Sequence, residues 1–144
     1  MEIIKEYYKL TTNKERIDIS YVHRSLGNTY WAKNIPLQTV QSAINNSICF
    51  SVFHKGEQVG FARVITDSAT FAYLCDVFID EQHQGKGLGK WLVETIVQYA
   101  PLQGLRRFML ATKDAHGLYK HFGFEQLTNT ENWMQVHNPD IYNY

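Results

Sequence analysis

Residues 80–92 read DEQHQGKGLGKWL, with Gly85, Gly87 and Gly89 alternating through the second half of the stretch. Glycine loses more conformational freedom on ordering than any other residue, so three in alternation require a physical reason. The stretch separates a strand-like run, CDVFI, from a helix-like one, LGKWLVETIVQYA. A glycine-rich turn at that junction exposes backbone N–H groups at the positive end of a helix dipole. Such a turn binds anions, most often phosphate. Lys86 and Lys90 add positive charge on either side. A tight turn alone would account for one glycine, not three.

Two familiar phosphate loops do not fit. A P-loop needs GxxxxGK[ST], but Gly89-Lys90 is followed by Trp91, which has no hydroxyl for a metal-bound phosphate. A dinucleotide fold needs GxGxxG after the first strand of a parallel sheet. Gly85 and Gly87 match that pattern, but its third glycine position falls on Lys90.

Other reactive residues are few. Asp76 lies in the middle of an apolar run, LCDVF, where carboxylates are depleted and costly to bury unpaired. Cys49 and Cys75 each fall in a strand-like stretch and read as buried thiols in a reducing compartment. No Cys or His pair has metal-ligand spacing, so no metal is expected. His83, just before the loop, reads as a solvated turn residue.

The elements that position these residues follow from periodicity. EIIKEYYKL reads as one strand and ERIDISYVHRSL as a helix, with Ile17, Tyr21, Val22 and Leu26 on one face. After an irregular aromatic stretch, GNTYWAKNI, Pro36 opens a second helix bearing Leu37, Val40 and Ile44. ICFSVFHKGEQVGFARVI gives two strands joined at Gly56, and AYLCDVFID gives a third. The glycine loop then enters a helix that buries Leu88, Leu92, Val93, Ile96 and Tyr99. LRRFMLAT reads as a strand. DAHGLYKHF reads as a short helix capped by Asp114 and ended by Gly123, and FEQLTNTENWMQVHN as one or two closing strands. The order β-αα-βββ-α-β-α-β(β) predicts an α/β fold: a mixed, mostly antiparallel central sheet flanked by helices. A single domain over residues 1–144 is expected.

Fourteen Lys and Arg balance fourteen Asp and Glu. That balance argues against nucleic acid or an anionic membrane as a partner, since both recruit bulk positive charge. No apolar run approaches the ~20 residues of a membrane span, and the N-terminal residues carry no signal-peptide core, so a cytoplasmic location is expected.

The hexad Gln84-Gly85-Lys86-Gly87-Leu88-Gly89 matches Q/R-x-x-G-x-G/A, and about 30 residues on Ala115, Leu118, Tyr119, Gly123 and Phe124 match A-x-x-L-Y-x-x-x-G-F. Together they resemble the GNAT superfamily of acetyl-CoA-dependent N-acetyltransferases over roughly residues 47–126. The resemblance implies a strand splay at the cofactor site and acetyl-CoA as co-substrate. It implies that the CoA pyrophosphate sits on the backbone of Gln84, Gly85, Lys86, Gly87, Leu88, Gly89 and Lys90. It also implies that backbone groups of Val77, Phe78 and Ile79 pair with the pantetheine arm as an added strand would, and stabilise the oxyanion.

Tyr119 takes the position of the family's general acid, which protonates the departing thiolate. A thiolate near pKa ~8.5 can take a proton from a hydrogen-bonded phenol near ~10. Many members carry an asparagine seven residues before that tyrosine, where this chain has Thr112. Asp114 could substitute for it or act only as a cap, and His116 lies one turn before Tyr119. On the acceptor side, Asp76 could act as base, bind a substrate ammonium, or pair with a structural partner. Acceptor specificity in the family usually lies between the first two helices, which places Tyr30 and Trp31 at the acceptor pocket.

The implied reaction is acetyl transfer to a primary amine of a small molecule by direct attack in a ternary complex. Neither cysteine has a nucleophile–base arrangement, so no acyl-enzyme is expected. The alternatives are acetylation of a protein amine or a non-catalytic acyl-CoA-binding module. The lack of an acidic cluster argues against polycations and basic protein tails. A homodimer is in keeping with the family, with Trp133 and Met134 available at an interface.

Overall fold

The computed structural model describes residues 1–143. Six strands form one sheet in the order β1-β2-β3-β4-β5-β6. β1 (Glu2–Lys5) and β2 (Tyr8–Thr11) form a hairpin, so the first strand read from the sequence is two. The reversal falls at Glu6, whose φ of +54° is left-handed without a glycine or proline to announce it.

α1 (Ile19–Gly27) and α2 (Leu37–Asn45) lead into β3 (Ile48–His54), β4 (Glu57–Thr66) and β5 (Phe71–Ile79), an antiparallel meander. α1 begins where the Asp18 side chain accepts from the Tyr21 N–H at 3.0 Å. α2 starts directly after Pro36. α3 (Leu88–Gln98) crosses over to β6 (Arg107–Leu110), which pairs parallel with β5. A parallel pair requires such a crossover. The short helix α4 (His116–Lys120) follows.

Alternation along the strands divides the core between the two faces of the sheet. Leu10, Phe50, Val52, Ala62, Val64 and Leu74 pack with Leu92, Val93 and Ile96 of α3 on one face. On the other, Cys49 and Phe61 pack with Val22 and Leu26 of α1 and Val40 and Ile44 of α2. The α1–α2 layer and the α3 layer therefore sandwich the strands.

Two further expectations are corrected. α4 begins at His116 with Ala115 at its cap position and no side-chain cap hydrogen bond, so Asp114 is not the cap; the Thr112 hydroxyl accepts from the Ala115 N–H at 3.1 Å in the approach to the helix. Among the described residues no strand follows α4. The segment holds only a helical turn at Thr130–Asn132, preceded by Asn129 at φ +53°. Its Thr, Asn and Glu residues bury little, so the expected pairing lacks an apolar face to hold it.

Candidate active site

β5 carries the site because it outruns its neighbour. Parallel pairing with β6 ends at Leu74↔Leu110, while β5 continues to Ile79. Cys75 to Ile79 thus present an open edge about 17 Å long on the side away from β4. On the β4 side the register slips: Arg63 pairs with Cys75 and Phe61 with Phe78, leaving Asp76 and Val77 opposite Ala62. Asp76 sits in this bulge at φ +53°. Bulges bend a strand and re-aim its side chains. Here the bend coincides with the divergence of β5 from β6.

Val77, Phe78 and Ile79 all lie on the open edge. Val77 and Ile79 pack towards the α3 face and Phe78 towards the α1–α2 face. Gly60 makes that possible. A Cβ at Gly60 would lie 2.7 Å from Ile79 Cδ1 and 3.2 Å from the Phe78 carbonyl oxygen. A glycine inside a strand is a signal of close backbone approach, and QVGFA carries that signal.

A helical turn at Glu81–His83 joins β5 to the glycine loop. The Gln84 side chain donates back to the Ile79 carbonyl at 2.9 Å, tying the loop to the strand end. Gly85 and Gly87 lie at φ +77° and +79°, and Gly87 is the N-cap of α3. Those two glycines are therefore required by backbone conformation. Gly89 is different: it has no positive φ, and an added Cβ would meet no protein atom within 4 Å. The same openness holds above Gly85 and Gly87. Lys86 and Lys90 are exposed beside the loop, and Leu88 alone is buried beneath it. Exposed N–H groups at the start of an eleven-residue helix, flanked by lysines and with clear space above, fit a diphosphate.

Tyr119 is 8 % exposed and packs in the core cluster that includes Leu88, Val77 and Ile79. It also lines a groove of about 550 Å3 with Thr112, His116 and residues of β6. Burial, reinforced by the Asp114 charge, pushes its phenol pKa up, so it keeps its proton. Burial likewise pushes the Cys49 thiol up to about 11 and the Cys75 thiol up to about 12. Both are neutral thiols at physiological pH, unsuited to form an acyl-enzyme.

Tyr30 and Trp31 stand between α1 and α2, 64 % and 45 % exposed, with their rings edge-on at 5.0 Å. Trp31 Nε1 donates to Asp76 Oδ1 at 3.0 Å. Asp76 Oδ2 accepts from Arg63 Nε at 2.8 Å, and the pair is largely buried. Burial disfavours the Arg63 charge, but Asp76 outweighs it and holds the guanidinium pKa up. Arg63 and its role were not legible in FARVI, where it reads as an ordinary outward-facing residue. His83 turns away from the splay: its Nδ1 is 2.8 Å from the Tyr8 hydroxyl, and its ring lies 4.9 Å from that of His54.

Residues 18–124 match the model of the Acetyltransferase (GNAT) family. The chain belongs to the GNAT acetyltransferase family. A protein of Gibberella zeae named as an acetyltransferase is 32 % identical over 142 residues, spanning 82 % of this chain and 79 % of its own. The crystal structure of a GNAT-family protein from Xanthomonas campestris superimposes with a TM-score of 0.93 at 47 % identity, covering 95 % of this chain and 97 % of that one. An acetyltransferase of Clostridium acetobutylicum solved with acetyl-CoA shares the fold at a TM-score of 0.62 and 15 % identity, covering 90 % and 94 %. This GNAT chain is therefore an acyltransferase by family, with the mixed, mostly antiparallel sheet of that fold. No group of three or more His, Cys, Asp or Glu among the described residues could hold a metal ion. Among the described residues no helix is long and apolar enough to cross a membrane.

Proposed function

We propose that this protein transfers the acetyl group of acetyl-CoA to a primary amine of a small molecule, by direct attack within a ternary complex. The observation that carries the reading is that one strand supplies two adjoining features. β5 ends in an open edge, and that edge runs straight into an N–H-rich loop with clear space above it.

Acetyl-CoA, when bound, supplies an activated thioester. The chain's own groups do the rest. Backbone amides from Gln84 to Lys90 hold the diphosphate, while Lys86 and Lys90 contribute charge. Backbone groups of Val77, Phe78 and Ile79 pair with the extended arm and place an N–H donor where the thioester oxygen gains charge. Tyr119, whose phenol is held further in its protonated form by burial, donates its proton to the departing sulfur and is reprotonated by the proton that the amine nitrogen sheds on acylation. Tyr30 and Trp31 face the acceptor. The two neutral thiols favour direct transfer over a covalent intermediate.

The test is release of free thiol from acetyl-CoA in the presence of a panel of primary amines spanning an amino acid, a polyamine and an amino sugar. At least one amine should raise the rate well above hydrolysis. Tight acetyl-CoA binding without transfer to any amine, small or peptidic, would instead support the non-catalytic acyl-CoA-binding reading. Transfer only to peptide amines would favour a protein substrate. The exposed apolar side chains of Trp133 and Met134 support a homodimer, which sedimentation velocity would contradict by returning a single monomeric species. The balanced charge gives no support to a nucleic-acid or membrane partner.

A further inference from the structure

Asp76 occupies the point at which β5 bulges and leaves β6, and its carboxylate has almost no freedom. Its side chain is 11 % exposed, and both oxygens are engaged: Oδ2 by Arg63 at 2.8 Å and Oδ1 by the Trp31 indole at 3.0 Å. Arg63 Nη1 donates onward to Ser47 Oγ at 3.0 Å, and Ser47 Oγ donates to the Ala43 carbonyl in the last turn of α2 at 2.7 Å. One carboxylate thus joins β5, β4, the end of α2 and the loop between α1 and α2.

The other arm of the splay reaches the same loop. Lys113, just past β6, places Nζ 4.3 Å from the centre of the Tyr30 ring. Cation–π contacts of this geometry are attractive. The adjacent aromatics Tyr30 and Trp31 therefore span the mouth of the splay, one tied to each arm. Both are substantially exposed, so apolar burial does little to fix them. The loop backbone is held by Thr29, whose Oγ1 accepts from the Ala32 N–H at 3.2 Å, and by the buried Ala32; the two polar contacts aim the aromatic side chains.

We propose that Asp76 is a positioning residue. It holds Trp31 and the α1–α2 loop across the mouth of the splay, and that loop forms the wall against which the acceptor amine is presented. The proposal rests on the acetyl-transfer reading for its kinetic consequence, but its structural half stands apart from it. Each carboxylate oxygen already holds one donor, so the group is oriented by Arg63 and Trp31 and takes its place in the fold before any amine arrives. The strained backbone at Asp76 fits the same role, because a left-handed non-glycine residue persists only where its surroundings fix it.

Two arms test this. In the first, 1H–15N spectra follow the Trp31 indole N–H, identified by its disappearance in Trp31→Phe, and the backbone of residues 28–33. In Asp76→Asn the indole resonance should shift and exchange faster with solvent, and the loop should gain fast motion. An unchanged indole resonance with an unchanged loop would overturn the proposal, whatever the enzyme's activity. In the second, kinetics use whichever primary amine of the panel gives the most thiol release. Trp31→Phe should raise its KM about tenfold, the order expected for a lost charge-assisted hydrogen bond, with acetyl-CoA affinity and the pH profile of kcat unchanged. Asp76→Asn should raise KM similarly, and the double variant should be no worse than the worse single one. Should Asp76→Asn abolish the acid limb of the profile and collapse kcat while Trp31→Phe is silent, Asp76 is the base and the proposal is wrong. If no amine releases thiol from the wild type, the acetyl-transfer reading fails, and the spectra alone decide the positioning claim. Trp31 is partly exposed, so its variant should fold even if loss of the buried ion pair unfolds Asp76→Asn.

Discussion

Replacing Gly89 by leucine should make the protein more stable and a weaker binder of acetyl-CoA at the same time. Gly89 is the second residue of α3, without a positive φ, and an added Cβ meets no protein atom within 4 Å. The helix therefore gains from the exchange. Leucine, close to alanine in helix propensity, is better than glycine by up to about 0.8 kcal/mol in a helix interior, and somewhat more than half of that is reasonable in a first turn. For a chain of this length, about 0.5 kcal/mol raises Tm by about 2 °C.

The ligand side runs the other way. A phosphate oxygen accepting from the Gly89 amide lies about 2.9 Å from that nitrogen. A methyl group is admitted at this position of the motif, but a leucine side chain rooted two bonds from the same nitrogen intrudes on that space, so acetyl-CoA should bind at least about tenfold more weakly, or about 1.4 kcal/mol. Gly87→Ala supplies the contrast. At φ +79° it forces a left-handed alanine, costing about 1–2 kcal/mol and lowering Tm by about 3–6 °C. Thermal unfolding and calorimetric titration with acetyl-CoA read both quantities. Wild-type affinity in Gly89→Leu would refute the claim that the open space serves the ligand. Undiminished stability in Gly87→Ala would refute the conformational half.

Other outcomes follow from the same structure. Tyr119→Phe should lower kcat by about 100-fold or more, as loss of a general acid does, while acetyl-CoA affinity survives; an equal kcat removes Tyr119 from the mechanism. Because burial raises the Tyr119 pKa, its proton is retained as pH rises through the ordinary tyrosine value, so the alkaline limb of kcat should lie above about 10. A limb near neutrality would point to another group. Gly60→Ala should destabilise by about 1–3 kcal/mol through overpacking and also weaken acetyl-CoA binding, because its Cβ presses on Ile79 and the Phe78 carbonyl. Mass spectrometry after rapid quenching with acetyl-CoA should find no acetyl on Cys49 or Cys75; a stoichiometric adduct would replace direct transfer with a covalent route.

The site was legible in the sequence where it is local and hidden where it is long-range. The glycine alternation marked the loop, and 3.6-residue periodicity marked α1, α2 and α3, because both signals lie within a dozen neighbouring residues. The reason for the glycines was only half visible. Sequence alone could not show that Gly85 and Gly87 are demanded by φ whereas Gly89 leaves space outside the protein. Asp76 stood out as a carboxylate in an apolar strand, but its partners lie 13 and 45 residues away. No periodicity announces such contacts. The division of the first strand failed because Glu6 adopts a turn conformation without turn chemistry. The expected closing strands failed because β propensity in Trp133–Val136 is not matched by a face to bury: Met134 and Val136 point into solvent.

The ligand of the loop from Gln84 to Lys90 decides the function. Calorimetric titration of the purified protein with acetyl-CoA, CoA, ATP and NAD tests it most directly. Acetyl-CoA and CoA should bind at a single site per chain, with ATP and NAD showing no comparable heat. Saturable binding of ATP or NAD with no response to CoA would contradict the account.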